Sequence, residues 1–320
     1  MEPLARRMER EAEMKILILG GTGMLGSMVA KVMPDDWEVL VTARTPAPYP
    51  YELVNARWRR FQVGSESWGT DLKELSDGCD WIVNCLGATK PLMQEDAAYT
   101  VNAHFPAAVV ATSVPVIHAS TDCVFDPDFG VDAPTEEDSP DACDLYGRSK
   151  AEGDAGGTAE SAIILRSSIV GPECRTPARH LLSQVVEERV SIGYADHLWN
   201  GVTTLAWARL AAALMRDPGL FEEVRIVHLV PGSSCSKDRL VGTILQAFGM
   251  RWYATEAHLT LNPVDMRLST MHPALRNRLW GAAGYIEPPT IEDLIWELAD
   301  FCRAEQWPPS GAEGWRYWRR

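Results

Sequence analysis

The chain has 320 residues, of which 46% are hydrophobic, and it can bury a substantial core as one large domain or two modest ones. Its 44 acidic and 30 basic residues give a formal net charge of -14, which repels a phosphate backbone, so nucleic acid is not an expected partner. No apolar stretch approaches the roughly 20 residues needed to cross a bilayer, and no membrane role is expected.

The cysteine pattern indicates a reducing environment. Seven cysteines form no Cys-x-x-Cys pair, and an odd number cannot all pair within one chain. We therefore expect a cytoplasmic protein without a disulfide framework. Histidine, cysteine and carboxylate residues nowhere cluster at metal-ligand spacing, so we expect no metal in the chemistry.

Strands and helices are predicted to alternate through the first half of the chain. Strands are expected at 15–19, 37–43, 80–87, 114–120 and 161–168, with the third of these ending at Asn84. Helices are expected at 24–33, 71–75 and 94–112, and another opens in the segment LYGRSKAEGD, after an irregular acidic loop at 124–143. Alternation at this pitch predicts a Rossmann-like, doubly wound α/β fold with a parallel sheet covered on both faces.

Beyond Gly171 the pattern loosens into a smaller C-terminal α/β cap that we expect to bind substrate. Helices are predicted at 178–188, 204–216, 236–248 and 290–304, and a strand at 224–230. The expected organisation is an extension at 1–13, a dinucleotide-binding domain at 14–170 with returning segments near 196–230, a cap at 171–195 and 231–305, and a tail at 306–320.

The segment GGTGMLG, residues 20–26, satisfies G-x-x-G-x-x-G between the first strand and the first helix. Glycines let the backbone turn sharply and approach a pyrophosphate, whose charge the free N–H groups of the helix amino terminus stabilise. A glycine pattern alone is a weak signal, but its strand–turn–helix context supports dinucleotide binding over an ordinary glycine turn.

The residues after the second strand favour NADP(H). An enzyme that prefers NAD(H) usually has an acidic residue there to hold the ribose hydroxyls, whereas this chain has Arg44. A guanidinium suits a 2′-phosphate. Arg44 as a solvated loop residue remains the alternative, and NAD(H) remains possible.

Tyr146 and Lys150 are four residues apart and are expected to share one face of a helix. An ammonium beside a phenol favours the phenolate and lowers its pKa, which makes Tyr146 a candidate proton donor and acceptor. Thr121 ends a buried strand and is a third candidate, because its hydroxyl could polarise the same substrate carbonyl that Tyr146 would protonate. An ordinary surface pair on a helix is the alternative interpretation.

Four motifs, in this order and spacing, resemble the extended short-chain dehydrogenase/reductases: GGTGMLG, VNAHFP (101–106), STDCVF (120–125) and DLYGRSKAEG (144–153). Within them the chain is most similar to the dTDP-4-dehydrorhamnose reductase, or sugar-nucleotide-binding, family. The resemblance continues through LRSSIVGP (165–172), LWNGVTTLAWA (198–208) and CSKDRLV (235–241). It covers nearly everything from Met14 to about Phe301.

The resemblance implies NADPH-dependent reduction of a keto group on a nucleotide-activated deoxysugar, in a homodimer, with Thr121, Tyr146 and Lys150 as catalytic residues and Asn102 supporting the lysine. The expected cofactor contacts are Gly20, Thr22, Gly23, Met24, Leu25, Gly26, Arg44, Cys85, Leu86, Gly87, Asn102, Tyr146, Lys150 and Ser168. The expected substrate contacts are Thr121, Asp122, Cys123, Tyr146, His180, Trp199, Asn200 and Thr203.

Departures from the family pattern leave alternatives open. The family often has an acidic residue where Gln62 follows its third strand, and a Gly-x-Pro-Thr type segment where this chain has WNGVTT, so the adenine contact and the exact sugar nucleotide are open. Sugar dehydratases follow the catalytic threonine with Asp-Glu, whereas this chain has Asp122 and Cys123, so dehydration is not expected.

Two rival functions also remain. Cys123 with His180 resembles the cysteine and histidine of GDP-fucose synthases, which implies a bifunctional 3,5-epimerase/4-reductase; alternatively, Cys123 is a small buried hydrophobe. Some family members are non-catalytic NADP-binding regulatory subunits, although this chain keeps all three catalytic side chains.

Overall fold

The computed structural model describes residues 14–45, 51, 56–89, 95–127, 132–174, 180–187, 192–221, 224–250 and 256–308. The strands in chain order are β1 (Lys15–Leu19), β2 (Glu38–Ala43), β3 (Ala56–Arg60), β4 (Trp81–Asn84), β5 (Val116–Ser120), β6 (Ala162–Arg166), β7 (Ile169–Val170), β8 (Ile192–Tyr194), β9 (His197–Trp199), β10 (Val202–Thr203), β11 (Ile226–His228), β12 (Cys235–Ser236), β13 (Glu256–His258) and β14 (Val264–Asp265).

The α-helices in chain order are α1 (Met24–Val32), α2 (Trp68–Ser76), α3 (Glu95–Ala98), α4 (Phe105–Val110), α5 (Leu145–Gly157), α6 (Leu181–Glu187), α7 (Thr204–Arg216), α8 (Lys237–Ala247), α9 (Pro273–Ala282) and α10 (Ile291–Ala304). A π-helical segment, Tyr99–His104, joins α3 to α4. Short 3₁₀ turns lie at Asp122–Val124 and Pro218–Phe221. No helix in the ranges that the structure describes is long and apolar enough to span a bilayer.

Within these ranges, seven strands form one parallel sheet in the order β11-β6-β5-β4-β1-β2-β3. Successive residues of a strand point to opposite sides of the sheet. Because the inner strands are apolar at consecutive positions, both faces are apolar, and helices cover both. Ile16 and Ile18 pack in the cluster that contains α1 and α7, whereas Leu17 and Leu19 pack in the cluster that contains α2 and α4. The predicted Rossmann-like fold is confirmed.

The order of the strands reverses between β1 and β4, which start connections that run in opposite directions along the sheet. In open parallel sheets, ligands bind in the crevice at such a switch point, outside the carboxyl ends of the strands. The glycine turn after β1 and the loop after β4 both lie at this edge.

The apolar pattern does not predict β3, whose sequence is ARWRR. It is the last strand of the sheet, and Arg57, Arg59 and Arg60 are exposed. Cationic side chains on an edge strand discourage pairing with another chain. Its position agrees with the third strand that the family resemblance implies before Gln62.

The helix predicted at 94–112 is interrupted by the π-helical segment, which Gly153 of α5 packs against. A Cβ at Gly153 would lie 1.8 Å from the carbonyl oxygen of Asn102. This close approach joins α5 to the segment that contains Asn102.

The C-terminal part adds small sheets to the Rossmann framework. In the described ranges β7 pairs with β10, β8 pairs with β13, and β9 lies between β12 and β14. The predicted helices at 204–216, 236–248 and 290–304 are confirmed within about two residues as α7, α8 and α10, whereas α9 was not predicted. A capping box of Thr290 and Asp293 begins α10. The division of the chain into a dinucleotide-binding domain and a cap stays a prediction.

Candidate active site

The turn between β1 and α1 has a backbone geometry that requires glycine. Gly20 has a φ of +88°, in the region that other residues rarely adopt. A side chain at Gly26 would place its Cβ 2.3 Å from the carbonyl oxygen of Gly20, so the first turn of α1 packs directly on the end of β1. The amino terminus of a helix therefore faces the carboxyl edge of the sheet, where free N–H groups stabilise an anion.

The N–H groups of this turn divide into two sets. Those of Gly20 and Gly21 donate to the hydroxyl and the carbonyl of Thr42, at 3.0 and 2.9 Å, and that of Gly23 donates to the Gly20 carbonyl at 2.9 Å. These bonds hold the turn against β2. Within the described part of the chain, the N–H groups left without an acceptor are those of Thr22, Met24, Leu25 and Gly26. This second set is available to a pyrophosphate.

Arginines end two neighbouring strands at the same edge. Arg44 follows β2 directly and is exposed, and Ala43 lies opposite Arg60 in the register of β2 and β3. Cationic groups there fit an adenosine ribose that carries a 2′-phosphate. Arg44 is predicted from the sequence, whereas Arg60 is not, because only the strand register brings it to this position.

The loop after β4 closes against the glycine turn. The Asn102 amide exchanges two hydrogen bonds with the backbone of Ala88, at 2.8 and 3.0 Å, and a Cβ at Gly20 would lie 2.9 Å from Leu86. These contacts hold the predicted cofactor contacts Cys85, Leu86 and Gly87 next to the turn.

Asn102 supports the lysine helix indirectly. Its Nδ2 also donates to the hydroxyl of Ser149 at 3.0 Å, and Ser149 precedes Lys150 on α5. The side chain of Asn102 therefore joins the loop after β4 to the helix of the lysine, whereas the family resemblance implies support of the lysine itself.

Thr121, Tyr146 and Lys150 meet at the carboxyl end of β5. Asp144 caps α5 by accepting from the Gly147 N–H at 2.7 Å, and this helix presents Tyr146 and Lys150 on one face. The Thr121 hydroxyl is hydrogen-bonded to Tyr146. The Lys150 Nζ donates to the Ala119 carbonyl at 2.8 Å.

Burial shifts the pKa values of the tyrosine and the lysine in opposite directions. It raises the pKa of the Tyr146 phenol, and the hydrogen bond with Thr121 only partly opposes this. Burial also lowers the pKa of Lys150, while the nearby Asp154 raises it. The expected lowering of the phenol pKa by Lys150 is wrong for this geometry, because burial raises that pKa and the hydrogen bond with Thr121, not the lysine, is what opposes the rise.

A buried ion pair lies beside the lysine. Asp154 and Arg166 are 1% and 2% exposed, and the Arg166 Nε lies 2.8 Å from Asp154 Oδ2. The Ser120 hydroxyl donates to the same oxygen at 2.8 Å. Asp154 follows Lys150 by four residues, so both are on one face of α5. Asp154, held in place by Arg166 and Ser120, therefore provides a negative charge near the buried Lys150.

Asp122 connects the catalytic threonine to the loop after β6. It accepts from the Thr121 hydroxyl at 2.9 Å and is hydrogen-bonded to the side chains of Ser168 and Cys123. Burial raises the pKa of Asp122, and these hydrogen bonds lower it. Cys123 is also close enough to Tyr146 to raise the pKa of that phenol electrostatically. Four of the predicted contacts, Asp122, Cys123, Tyr146 and Ser168, therefore form one cluster.

His180 lies against a buried carboxylate. Glu173 is 2% exposed; it accepts from the His180 backbone N–H at 2.8 Å, and its other oxygen lies 2.8 Å from the ring Nδ1. A contact between His180 and Cys123 stays a prediction.

The three predicted contacts from the segment WNGVTT differ in their surroundings. Trp199 is half-buried, and a Cβ at Gly201 would lie 2.5 Å from its ring and 2.2 Å from the Ser168 carbonyl. Asn200 exchanges hydrogen bonds of 2.7 and 2.8 Å with the backbone of Leu268. Thr203 is 1% exposed and caps α7. Trp199 remains a candidate substrate contact, whereas Asn200 and Thr203 use their side chains to hold the fold.

His118 is a buried core residue of β5. Its Nδ1 lies 2.9 Å from Asn84 Nδ2, and burial lowers its pKa well below the ordinary value. Thr42, Asp154 and Glu173 are not predicted from the sequence, although the four-residue spacing from Lys150 is a signal that indicates Asp154. Within the described ranges, no group of three or more potential metal ligands is present.

Comparison with known proteins gives a family and a fold. A family model described as RmlD substrate binding domain matches residues 14–290. No curated protein matches the sequence. Solved structures that resemble the chain include a dTDP-4-dehydrorhamnose reductase from Clostridium acetobutylicum, at 18% identity and a TM-score of 0.65, covering 90% of this chain and 99% of that one.

Two further structures come from Bacillus anthracis. A dTDP-4-dehydrorhamnose reductase in complex with NADP is 14% identical, with a TM-score of 0.66, covering 89% of this chain and 98% of that one. A dTDP-glucose 4,6-dehydratase in complex with NAD is 15% identical, with a TM-score of 0.68, covering 92% and 98%. At these identities the likeness shows the fold.

Proposed function

Because this chain belongs to the RmlD substrate binding domain family, we propose that it uses NADPH to reduce a keto group on a nucleotide-activated deoxysugar. The observation that carries the proposal is the convergence of Thr121, Tyr146 and Lys150 at the sheet edge where the glycine turn leaves its N–H groups free. Reductases and dehydratases with bound NADP or NAD share this fold.

The side chains divide the work of a carbonyl reduction. NADPH, when bound, supplies the hydride that reduces the keto carbon. Tyr146 donates its proton to the carbonyl oxygen, which fits a phenol whose pKa burial raises. Thr121 holds that oxygen beside the phenol, and Lys150 contributes the positive charge that offsets the developing phenolate. Proton transfer by a placed side chain contributes about 10²–10⁴-fold to such a rate.

The test combines binding with turnover. Isothermal titration measures NADPH affinity, and absorbance at the nicotinamide band measures NADPH oxidation against a panel of keto-sugar nucleotides. We expect Tyr146→Phe to lose at least about 10²-fold in kcat while its NADPH Kd stays within about twofold, since an aromatic ring remains. Tight NADPH binding without oxidation across the panel would favour the alternative of a non-catalytic regulatory subunit.

The preference for NADPH rests on Arg44. Arg44→Ala should raise the Kd of NADPH by about tenfold and leave that of NADH nearly unchanged, because only NADPH carries the 2′-phosphate. Parallel titrations with the two cofactors measure this ratio. Equal losses for both cofactors would contradict the assigned role.

A bifunctional 3,5-epimerase/4-reductase is the second candidate. The position of the buried Glu173 carboxylate 2.8 Å from His180 Nδ1 supports it, since a negative charge beside that nitrogen leaves Nε2 as the atom that transfers a proton. In deuterated solvent, label at ring C3 or C5 of the product establishes epimerisation, whereas a plain reductase incorporates solvent deuterium at the new hydroxyl alone.

The resemblance also supports a homodimer in the cytoplasm. Light scattering coupled to size-exclusion chromatography tests the first, and cell fractionation tests the second.

A further inference from the structure

We propose that Tyr51 positions the phosphate-binding turn and that Trp307 holds Tyr51 in place. The inference rests on the proposed binding of NAD(P)H at that turn. Tyr51 is 4% exposed, and its hydroxyl donates a short hydrogen bond to the carbonyl oxygen of Gly21. Its ring is packed edge-on between Trp58 and Trp307, with centroid distances of 5.1 and 5.0 Å.

The hydrogen bond from Tyr51 sets the direction of a free donor. In a planar trans peptide, the carbonyl of one residue and the N–H of the next point in opposite directions. Fixing the Gly21 carbonyl therefore fixes the Thr22 N–H, one of the turn's N–H groups without an acceptor in the described part of the chain. A donor already aimed at its anion loses no freedom when the anion binds.

Gly21 is held from both sides. Its N–H donates to the Thr42 carbonyl at 2.9 Å, and its carbonyl accepts from Tyr51. A Cβ at Gly21 would lie 2.0 Å from Val41 and 3.3 Å from the ring of Trp58. The turn thus packs directly on β2 and on the same tryptophan that packs against Tyr51. A small shift of Tyr51 therefore displaces the turn.

The segment after α10 contacts both Tyr51 and the helix that follows the phosphate-binding turn. The backbone N–H of Trp307 donates to the Cys302 carbonyl at 2.9 Å, and Trp307 is 4% exposed. Glu305 forms an ion pair of 2.9 Å with Lys31, whose Nζ also lies 6.0 Å from the centroid of the Trp307 ring. Lys31 belongs to α1, the helix that the turn begins. Residues 305–307 therefore pack on α1, the helix that follows the turn, and on Tyr51, whose hydroxyl holds the turn.

Tyr51 suits the role of a permanent donor. Burial raises the pKa of its phenol well above the ordinary value, so the hydroxyl keeps its proton across the physiological range. Phenylalanine at this position would keep the ring packing and remove one hydroxyl, leaving the Gly21 carbonyl without its donor.

The test compares Tyr51→Phe with a matched control, Tyr285→Phe. Tyr285 also donates a side-chain hydrogen bond, partly buried, to Glu297 Oε2 at 2.7 Å, but it packs on Trp280 of α9. Isothermal titration with NADPH should give a Kd about 3- to 10-fold higher for Tyr51→Phe and an unchanged Kd for Tyr285→Phe. Trp307→Phe should raise the Kd in the same direction, and kcat at saturating NADPH should stay within about twofold of the wild type in each variant.

Hydrogen exchange of the cofactor-free protein gives an independent readout. The Thr22 amide should exchange faster in Tyr51→Phe than in the wild type or in Tyr285→Phe. Unchanged exchange at the turn, or equal losses of NADPH affinity in the two tyrosine variants, overturns the inference. A wild-type protein that does not bind NADPH overturns the proposed function instead, because the exchange comparison does not depend on it.

Discussion

Replacing Gly147 by alanine should uncouple the catalytic tyrosine from the threonine with little loss of cofactor affinity. Gly147 follows Tyr146 on α5, and a Cβ there would lie 2.1 Å from the carbonyl oxygen of Cys123 and 2.4 Å from the Cβ of Ala142. Ordinary contacts between such atoms are about 3.5 Å, so α5 must move away from the Thr121 loop by roughly 1 Å. A misplacement of about 1 Å costs about 10²-fold in rate.

The stability change should be modest beside the loss of rate. Overpacking costs about 1–3 kcal/mol, and alanine regains up to about 1 kcal/mol of helix propensity over glycine. The assay measures NADPH oxidation at saturating cofactor and substrate, with the NADPH Kd and the thermal midpoint measured on the same samples.

Gly156 on the same helix supplies the matched control. A Cβ there would meet its nearest atom, the Cβ of Ala107, at an ordinary 3.5 Å. Gly156→Ala should therefore keep wild-type kcat and melt slightly higher, because it gains helix propensity without a clash. Wild-type kcat in Gly147→Ala, or an equal loss in both variants, would refute the claim that this glycine sets the distance between Tyr146 and Thr121.

Two further predictions concern buried titratable side chains. Burial lowers the pKa of His118, so the unfolded chain binds a proton below its ordinary pKa of about 6.5 and the folded chain does not; the free energy of unfolding should fall by up to about 1.4 kcal/mol per pH unit as the pH drops below that value. Urea unfolding between pH 7 and 5 should show a shallower fall for His118→Gln, and an identical fall would contradict the assignment. Asp154→Asn leaves Arg166 buried without its counter-charge and should destabilise the protein by about 3–5 kcal/mol. Adding Arg166→Met should recover part of that loss, and equal stability of Asp154→Asn and the wild type in urea would contradict the ion-pair argument.

The features that the sequence predicts correctly depend on short spacings. The glycine turn lies within seven residues between a strand and a helix, and Tyr146 and Lys150 are one helical turn apart, so local periodicity is enough to place them. Six apolar strands of the sheet are predicted for the same reason. Their burial on both faces leaves runs of Ile, Leu and Val in each sequence.

The features that were missed depend on contacts between distant segments. The strand β3 is an edge strand, and its arginines interrupt the apolar pattern by which a strand is recognised. The contact of Tyr51 with Trp307 joins segments that are far apart in the sequence, so the sequence pattern does not indicate it. Asn200 and Thr203 matched a family segment, but whether a polar side chain faces a ligand or the backbone is decided by tertiary packing. The pKa of Tyr146 was misjudged because spacing indicates a nearby ammonium and says nothing about desolvation.

The hydrogen bonds around Thr121 decide which residue holds the proton before substrate binds. A hydroxyl has one proton to donate and two lone pairs to accept with. Thr121 gives its proton to Asp122 at 2.9 Å and accepts from the Cys123 N–H at 3.2 Å, so in its bond with the neutral phenol of Tyr146 it accepts. Thr121 lowers the pKa of that phenol by turning its proton from Asp122 to the oxygen once the phenol is ionised. The phenol, whose pKa burial raises, is therefore the donor. A carbonyl oxygen that replaces Thr121 as acceptor receives that proton directly, whereas the oxidative direction must first remove it from a buried phenol. The resting arrangement is thus prepared for reduction, and Asp122 makes it so by fixing the orientation of Thr121.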